Sequence, residues 1–281
     1  MRKATKLVYP VSTSRKTTTV IRRTMNKDAW NPEQYERFKN ERSQPFFDLL
    51  GLVKGRAGMR VLDLGCGTGE LTREMHRTLV ARETLGLDNS AAMLEESARF
   101  AGEGLSFGHG DIAALGHLRP FDLVFSNAAL QWLPNHVDLM GRILKLVAPG
   151  GQLAVQMPAN HDHVSHTLAH EVAARSPYKE ALSSYVRQVS VMLPEDYALL
   201  LHELGVVKQQ VQLRVYGHVL GSTEDVVEWV KGTLLTDYKR RLPEALYADF
   251  LEDYRRELLS ALGTARPYFY PFKRILLWAQ V

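Results

Sequence analysis

The sequence predicts an α/β fold with a doubly wound parallel sheet. In the first half of the chain, short apolar runs alternate with amphipathic helical patterns, which is typical of repeated β-α units. One run, Met59–Leu64, leads directly into glycines at positions 65, 67 and 69. A strand, a glycine-rich turn and a helix start in this order indicate a ligand site at the carboxyl ends of the strands. The length of 281 residues suits one large domain of this class or one domain with an insertion.

Five predicted strands make up the repeat. The strand runs are Met59–Leu64, Glu83–Asp88, Leu105–His109, Phe121–Asn127 and Gln152–Met157. Ahead of them, residues 31 to 53 predict one or two helices with an N-cap at Asn31 and a break at Ser43–Pro45. After the fourth strand, a helix is predicted from about Asn135 to Val147.

The β-α alternation ends after the fifth strand. The predicted elements that follow are helix and loop over residues 158 to 193, a helix over Pro194–Leu204, a strand over Val206–Val219, helices over residues 222 to 262, and a last strand over Phe272–Val281. Pro271 should mark the start of that last strand.

The glycine turn favours a nucleoside ligand that carries an amino acid. A nicotinamide-type turn reads Gly-x-Gly-x-x-Gly, whereas this turn reads Asp-x-Gly-x-Gly-x-Gly. The carboxylate of Asp63 would repel a pyrophosphate, but it suits a ligand ammonium or holds the turn from below. Asp88 follows Gly69 by 19 residues, which is the spacing of an acid that binds ribose hydroxyls. We therefore predict S-adenosylmethionine as the cofactor, and a nicotinamide-dependent oxidoreductase is disfavoured.

The predicted cofactor contacts lie at and after the ends of the first four strands. Asp111 follows the third strand, where its carboxylate could accept a hydrogen bond from an adenine amino group or serve only as an N-cap. The predicted contact residues are Asp63, Gly65, Cys66, Gly67, Gly69, Asp88, Asn89, Met93, Gly110, Asp111, Ile112 and Asn127.

The basic charge of the chain comes from its N-terminus. Residues 1 to 25 hold seven Lys or Arg and no acid, so removing these seven charges from the net +4 leaves −3. Nucleic-acid binding, which rests only on the pI of 9.1, is therefore not expected of the folded part. The leader is interpreted as a disordered tail or as sequence upstream of a true start at Met25, with an organelle transit peptide as the alternative.

Neither a disulfide nor a metal site is expected. Cys66 is the single cysteine, which fits a reducing compartment. Four histidines, at positions 161, 163, 166 and 170, suggest metal binding, but no Cys or Glu-His pairing completes a known pattern, so a polar lid segment is favoured. No apolar run is long enough to span a bilayer, so no membrane association is expected.

Several motifs resemble known methyltransferases. Val61–Gly69 together with Leu85–Asp88 resembles the class I S-adenosylmethionine-dependent methyltransferases. More narrowly, the chain resembles the trans-aconitate 2-methyltransferases. The motifs that carry this likeness are Trp30-Asn31-Pro32-x-x-Tyr35-x-x-Phe38, Glu41-Arg42-Ser43-x-Pro45, Asn127-Ala128-Ala129-Leu130-Gln131-Trp132-Leu133-Pro134 and Ala154-Val155-Gln156-Met157-Pro158.

This resemblance implies a Rossmann-like sheet of seven strands, the last of them antiparallel, with a helical lid subdomain. It divides the chain into the leader (1–25), a cofactor-binding core (26–158), a lid segment (159–193), a core helix and strand (194–221), a second lid segment (222–266) and the last core strand (267–281). It also implies a cytoplasmic enzyme that forms a methyl ester on a small carboxylic acid, trans-aconitate. The alternatives are a malonyl-acyl-carrier-protein carboxyl methyltransferase and another small-molecule O- or N-methyltransferase.

A carboxylate acceptor needs no general base, because it is already ionised near neutral pH. No acid/base pair is therefore nominated, and catalysis is expected to come from alignment and exclusion of water. A polycarboxylate needs cationic or amide donors, best supplied by Arg. The candidate substrate residues are Tyr35, Arg42, Gln131, Trp132, Lys231, Arg240 and Arg241. The first two would cover the glycine turn, unless their helix simply packs outside the sheet.

Overall fold

The computed structural model describes residues 39–116, 118–185 and 188–281, with side chains from residue 43 onward. These residues form one sheet of seven strands, which are β1 (Arg60–Leu64), β2 (Glu83–Asp88), β3 (Leu105–His109), β4 (Phe121–Asn127), β5 (Val147–Pro158), β6 (Lys208–Leu220) and β7 (Tyr268–Gln280). The order in space is β3-β2-β1-β4-β5-β7-β6. Strands β1 to β5 are parallel, and β7 is antiparallel to both of its neighbours. The predicted fold class is thus confirmed, including the antiparallel last strand.

Helices cover the sheet and extend beyond its carboxyl edge. In the described residues they are α1 (Lys39–Leu50), α2 (Glu70–Thr78), α3 (Ala91–Ser97), α4 (His136–Leu144), α5 (Val164–Ala173), α6 (Tyr178–Ala181), α7 (Pro194–Glu203), α8 (Glu224–Lys231), α9 (Thr236–Arg241) and α10 (Glu244–Leu262). Local capping starts three of them, because the side chains of Ser90, Asn135 and His163 cap α3, α4 and α5. The helix predicted to reach Val147 ends at Leu144, because Val147 already belongs to β5.

The predicted helix break at Ser43–Pro45 is wrong, because α1 runs through these residues. A proline inside a helix costs about 3 kcal/mol relative to alanine. Phe46 and Leu49 follow it and are buried against the sheet, and each such side chain contributes about 1.5–3 kcal/mol. Tertiary packing therefore outweighs the local cost of the proline.

The predicted start of the last strand is also wrong, because β7 begins at Tyr268 and contains Pro271. Pro271 pairs with Gly217 of β6, whereas β5 pairs with β7 only from Arg274 onward. A proline has no N–H to donate, so it is tolerated in a strand where no neighbouring strand pairs on one side. Pro271 lies beyond the end of β5, so no strand pairs with it on that side.

Both faces of the central strands β1, β4 and β5 are buried, whereas one face of the edge strand β6 is exposed. On one face, α4 and α7 contribute Ile143 and Leu201 to a large hydrophobic cluster. On the other face, Phe46 of α1 packs edge-on against Phe125 of β4, with ring centroids 5.0 Å apart. Helix α1 therefore lies over the centre of the sheet, next to the carboxyl ends of its parallel strands.

A third hydrophobic cluster forms a helical lid, defined here as α5, α6 and α8 to α10 with the adjoining ends of β6 and β7. Trp229, Phe250 and Tyr254 are buried at its centre. The helices of the lid come from two separate segments of the chain. Helices α5 and α6 follow β5, and α8 to α10 lie between β6 and β7. Within the described part of the chain, no helix is both long enough and apolar enough to cross a membrane.

Candidate active site

The turn between β1 and α2 has a backbone shape that favours glycine. Gly65, Gly67 and Gly69 have φ angles of 80°, 55° and 75°, in the left-handed region that other residues adopt at a cost. The N–H groups of Gly65 and Cys66 donate to the carbonyl oxygen of Leu87 at 2.8 and 3.1 Å. These hydrogen bonds tether the turn to the end of β2.

Close packing adds a second requirement at two of these glycines. A Cβ on Gly65 would lie 2.3 Å from the Cβ of Ala129, and one on Gly69 would lie 2.7 Å from the Cζ of Phe107. A Cβ on Gly67 would meet no atom within 4 Å. Gly67 therefore leaves a face of the turn open to a ligand, whereas Gly69 packs α2 against the sheet.

Asp88 at the end of β2 connects the glycine turn to α3. Its Oδ2 accepts from the N–H of Gly67 at 2.9 Å, and its Oδ1 accepts from the N–H of Ser90 at 2.9 Å. A carboxylate has about four acceptor positions, so both oxygens keep further lone pairs. Asp88 can therefore hold the turn and still accept hydrogen bonds from a ligand.

Asp63 lies beneath the turn, and its side chain is buried. Thr72 of α2 donates to its Oδ2 at 2.6 Å. Burial raises the pKa of Asp63 to about 7, with a smaller contribution from the charge of Asp88 and an opposing one from the Thr72 hydrogen bond. Near neutral pH the two protonation states are balanced, so a nearby cation would favour the carboxylate.

These groups line a cavity of about 400 Å³ at the carboxyl edge of the sheet. It brings together eleven of the twelve predicted cofactor contacts, all except Gly69, which packs behind the turn. The lining residues outside the predicted set are Ser43, Phe46, Thr68, Glu70, Leu71, Ser90, Ala128, Ala129, Leu133 and Thr236. Most of them are sequence neighbours of nominated residues, so the motif spacing already pointed to their surroundings.

Two polar side chains at the cavity wall have acceptor positions suited to a ligand. The Oδ1 of Asn127, at the end of β4, is buried without a hydrogen-bond partner. Asp111 caps a 3-10 turn by accepting from the N–H of Ala113 at 2.8 Å, as the N-cap interpretation expects. Its side chain also lines the cavity, so capping does not exclude a second contact.

The predicted substrate residues divide into three groups. Trp132 and Arg240 line the cavity. Gln131, Lys231 and Arg241 are not among its lining residues. Tyr35 lies outside the described residues, as does the side chain of Arg42.

The residues outside the cavity have other contacts. Gln131 donates to the carbonyl of Ala128 at 2.7 Å and so supports the loop after β4. Lys231 donates to both carboxylate oxygens of Glu228, at 3.0 and 3.1 Å. Arg241 stacks on the ring of Tyr185 at 3.7 Å and also pairs with an aspartate of α9. The structure places the latter two cations in lid contacts rather than in the cavity.

Two of the four histidines after β5, His163 and His170, make contacts in the lid. The Nδ1 of His163 accepts from the N–H of Ser165 at 3.1 Å at the start of α5. The Nδ1 of His170 lies 3.0 Å from the hydroxyl oxygen of Tyr238. In the part of the chain that the structure describes, no group of three His, Cys, Asp or Glu is arranged to hold a metal.

Comparison with known proteins decides the family. The model of the methyltransferase domain matches residues 56–211. The chain belongs to this family. Trans-aconitate 2-methyltransferase of Deinococcus radiodurans is 43% identical over 89% of this chain and 97% of that protein. The enzyme of the same name from Variovorax paradoxus is 36% identical over 89% of this chain and 98% of that protein.

The fold comparison agrees with this family. The crystal structure of the YcgJ protein from Bacillus subtilis has a TM-score of 0.58 at 16% identity, covering 84% of this chain and 97% of that one. The predicted resemblance is therefore confirmed, as are the enzyme class and the cofactor: the protein is an S-adenosylmethionine-dependent methyltransferase. The cavity fits this cofactor, because Asn127 has an acceptor without a partner and Gly67 leaves the turn open.

Proposed function

We propose that this methyltransferase forms a methyl ester on a carboxylate of trans-aconitate. The observation that carries the proposal is the 43% identity to a trans-aconitate 2-methyltransferase over nearly the whole of both proteins. The cavity supports it, because its wall combines the predicted cofactor contacts with an aromatic side chain, Trp132, and a cation, Arg240. The donor and the acceptor would therefore share one cavity.

The residues at the strand ends would hold the cofactor. Asp88 would accept from the ribose hydroxyls, and Asp63 would lie on the side of the ammonium group. Asn127 would accept through the Oδ1 that has no partner in the protein. When bound, S-adenosylmethionine supplies a methyl group whose transfer to a carboxylate oxygen leaves an electron pair on sulfur, so no proton moves.

The protein's part in the reaction would be to position the acceptor and exclude water. A carboxylate has a pKa near 4 and is ionised at neutral pH, so the site needs no general base. Trp132 and Leu133, from the segment after β4, and Phe46 of α1 supply apolar wall to the cavity. Arg240 is half exposed where it lines the cavity, and it would attract an anionic acceptor even though Asp237 pairs with it at 3.4 Å. Correct alignment alone is worth several orders of magnitude in rate.

The test is a panel of acceptors with labelled S-adenosylmethionine. We expect trans-aconitate to give a methyl ester, identified by mass spectrometry, faster than cis-aconitate, citrate, malonyl-acyl-carrier protein or small amines. Asp88→Ala protein serves as the control for cofactor-dependent turnover. Label transfer to malonyl-acyl-carrier protein alone would establish the alternative carboxyl methyltransferase.

We also propose that the enzyme works in the cytoplasm on a small molecule and does not act on nucleic acid. The single cysteine and the net −3 charge outside residues 1 to 25 support this proposal. Salt-sensitive nucleic-acid binding by a protein that lacks residues 1 to 25 would contradict it.

A further inference from the structure

A row of polar side chains continues from the cofactor cavity across the sheet. Asn127 of β4 lies at the cavity wall, and its register partner on β5 is Gln156. Gln156 in turn lies opposite Leu276 of β7. Arg274 is two residues from Leu276, so it lies on the same face of the sheet. This face carries α1, and the row runs along it at the carboxyl ends of the parallel strands.

Gln156 is completely buried, and neither of its amide atoms has a hydrogen-bond partner. An unsatisfied buried polar group costs about 1–3 kcal/mol, and native proteins contain few of them. An apolar residue would fill this strand position more favourably. The amide therefore indicates a bound ligand. The ligand would accept a hydrogen bond from the amide nitrogen, and it could also donate one to the amide oxygen.

Two basic side chains on the same face lie further along the strands towards the lid, because Arg274 is four residues along β7 from Tyr270, the register partner of His218. The guanidinium carbon of Arg274 lies 4.8 Å from the ring centroid of Phe272, and this arginine is only 4% exposed. His218 of β6 is buried against Trp229, with ring centroids 4.8 Å apart, and its Nε2 has no hydrogen-bond partner. Burial, and then the charge of Arg274, lower the pKa of His218 to about 4, so the imidazole is neutral.

We propose that Gln156, His218 and Arg274 bind the carboxylates of the acceptor that are not methylated. This inference rests on the proposed function. The three side chains are not among the lining residues of the cofactor cavity, and they would form an adjoining part of the site that selects a polycarboxylate. A guanidinium and an amide are the donors that bind carboxylates with defined geometry. Arg240 is half exposed where it lines the cavity, whereas these three side chains are buried, where each hydrogen bond to an anion is stronger.

The test compares buried-row variants with a matched surface variant. The row is altered by Gln156→Leu, His218→Phe and Arg274→Met. The control, Arg256→Met, removes an exposed lid arginine that pairs with Asp253 at 2.6 Å. KM and kcat are measured with trans-aconitate, the Kd of S-adenosylmethionine by calorimetry, and the Tm by thermal unfolding.

We expect the row variants to bind the acceptor more weakly and to keep their affinity for the cofactor. Gln156→Leu and His218→Phe should raise KM for trans-aconitate at least tenfold, and Arg274→Met at least 100-fold, while the Kd of S-adenosylmethionine changes less than threefold. Gln156→Leu should not lower the Tm, because it replaces an unpartnered amide with an apolar side chain. Arg256→Met should change none of these values. If Arg274→Met does not fold, the other two variants still decide the matter.

A purely structural role would give a different pattern. If the row only binds internal water, Gln156→Leu should lower the Tm and leave KM unchanged, and this result would overturn the inference. Calorimetric titration of trans-aconitate into the complex with S-adenosylhomocysteine separates binding from turnover. If the wild type binds trans-aconitate without methylating it and the row variants do not bind it, the proposed function is wrong, but the row does bind carboxylates. If the row variants bind and methylate trans-aconitate normally, the row does not bind the acceptor, but the proposed function is right. If the wild type binds no carboxylate, both are wrong.

Discussion

The two ends of the active site are built from different material. At the ends of β1 to β4, the wall consists of glycine backbone and of side chains that backbone groups fix, such as Asp88 with the N–H groups of Gly67 and Ser90. At the lid, the wall consists of Thr236 and Arg240 of α9, the helix whose Tyr238 is buried in the hydrophobic cluster of the lid. The first end depends on contiguous sequence, whereas the second depends on packing between distant segments. Changes at the first end should therefore weaken binding of the cofactor, and changes at the second should weaken binding of the acceptor.

The largest effect is expected at the glycine turn, from Gly65→Ala. The new Cβ would meet that of Ala129 at 2.3 Å, in addition to the positive φ of 80°. We expect affinity for S-adenosylmethionine to fall more than 100-fold, and the free energy of unfolding to fall by about 2–4 kcal/mol. Calorimetry and urea unfolding measure the two quantities.

Gly150→Ala is the matched control for this prediction. Gly150 has a φ of 75°, and a Cβ there would meet no atom within 4 Å. It should therefore lose only about 1–2 kcal/mol of stability and no cofactor affinity. Combining Gly65→Ala with Ala129→Gly should recover part of the affinity by removing the clash. Equal losses in the Gly65 and Gly150 variants would show that backbone strain, rather than close packing, sets the requirement for glycine.

Asp88→Ala should have the next largest effect. It removes the proposed ribose acceptor as well as the acceptor for the N–H groups of Gly67 and Ser90. Affinity for S-adenosylmethionine should fall at least tenfold, or about 1.4 kcal/mol. Asp138→Ala is the control, because Asp138 lies on α4 outside the cavity. An unchanged Kd in the Asp88 variant would remove the ribose assignment.

The difference between the two ends also explains what the sequence could predict. The positions of the glycine turn, Asp88 and Asn127 in the site could be predicted from the sequence. Parallel strands bring their carboxyl ends to one edge of the sheet, independently of the rest of the chain. Gln156, His218 and Arg274 lie on β5, β6 and β7, and only the antiparallel pairing of these strands places them on one face of the sheet. No local pattern in the sequence predicts that they share this face.

Two lid cations that were predicted to bind the substrate form ion pairs instead, at spacings that are visible in the sequence. Lys231 follows Glu228 by three residues and Arg241 follows Asp237 by four, which are spacings that form pairs on a helix. These pairs were therefore predictable. Pro45 and Pro271 illustrate the opposite case, because only tertiary packing and the position of a strand end make them acceptable inside elements.

Asp63→Asn should change the pH dependence at the cofactor end. In the free enzyme the pKa of Asp63 is raised to about 7, so ionisation of Asp63 near that pH should strengthen binding of the cofactor ammonium. We expect wild-type affinity to rise between about pH 6 and pH 7.5, below the titration of a ligand amine near pH 8, and affinity of the variant to be flat. Calorimetry across this range measures both proteins.

The same carboxyl makes a second prediction, about stability. Its folded-state pKa lies above the unfolded value of about 4, so the unfolded chain loses its proton first as pH rises. The contribution of Asp63 to stability of the free enzyme is therefore full below about pH 4 and declines until about pH 7. Asp63→Asn should remove this decline and be more stable than the wild type above pH 7. Parallel pH profiles of the two proteins would contradict the assignment of the raised pKa to Asp63.

The smallest effects are expected from the lid cations, where Arg240→Met, Arg241→Met and Lys231→Met form a graded set. Only Arg240 lines the cavity, and its side chain is half exposed, so its loss should raise KM for an anionic acceptor about threefold to tenfold and should matter less in high salt. Arg241 stacks on Tyr185, so its loss should lower stability by about 1 kcal/mol without changing KM. Lys231 pairs with Glu228 near the surface, and such pairs contribute about 0–1 kcal/mol, so neither quantity should move measurably. Steady-state kinetics at two salt concentrations and urea unfolding compare the three. If KM rose equally in all of them, the lid would attract the acceptor through its total charge, and the cavity position of Arg240 would have no special role.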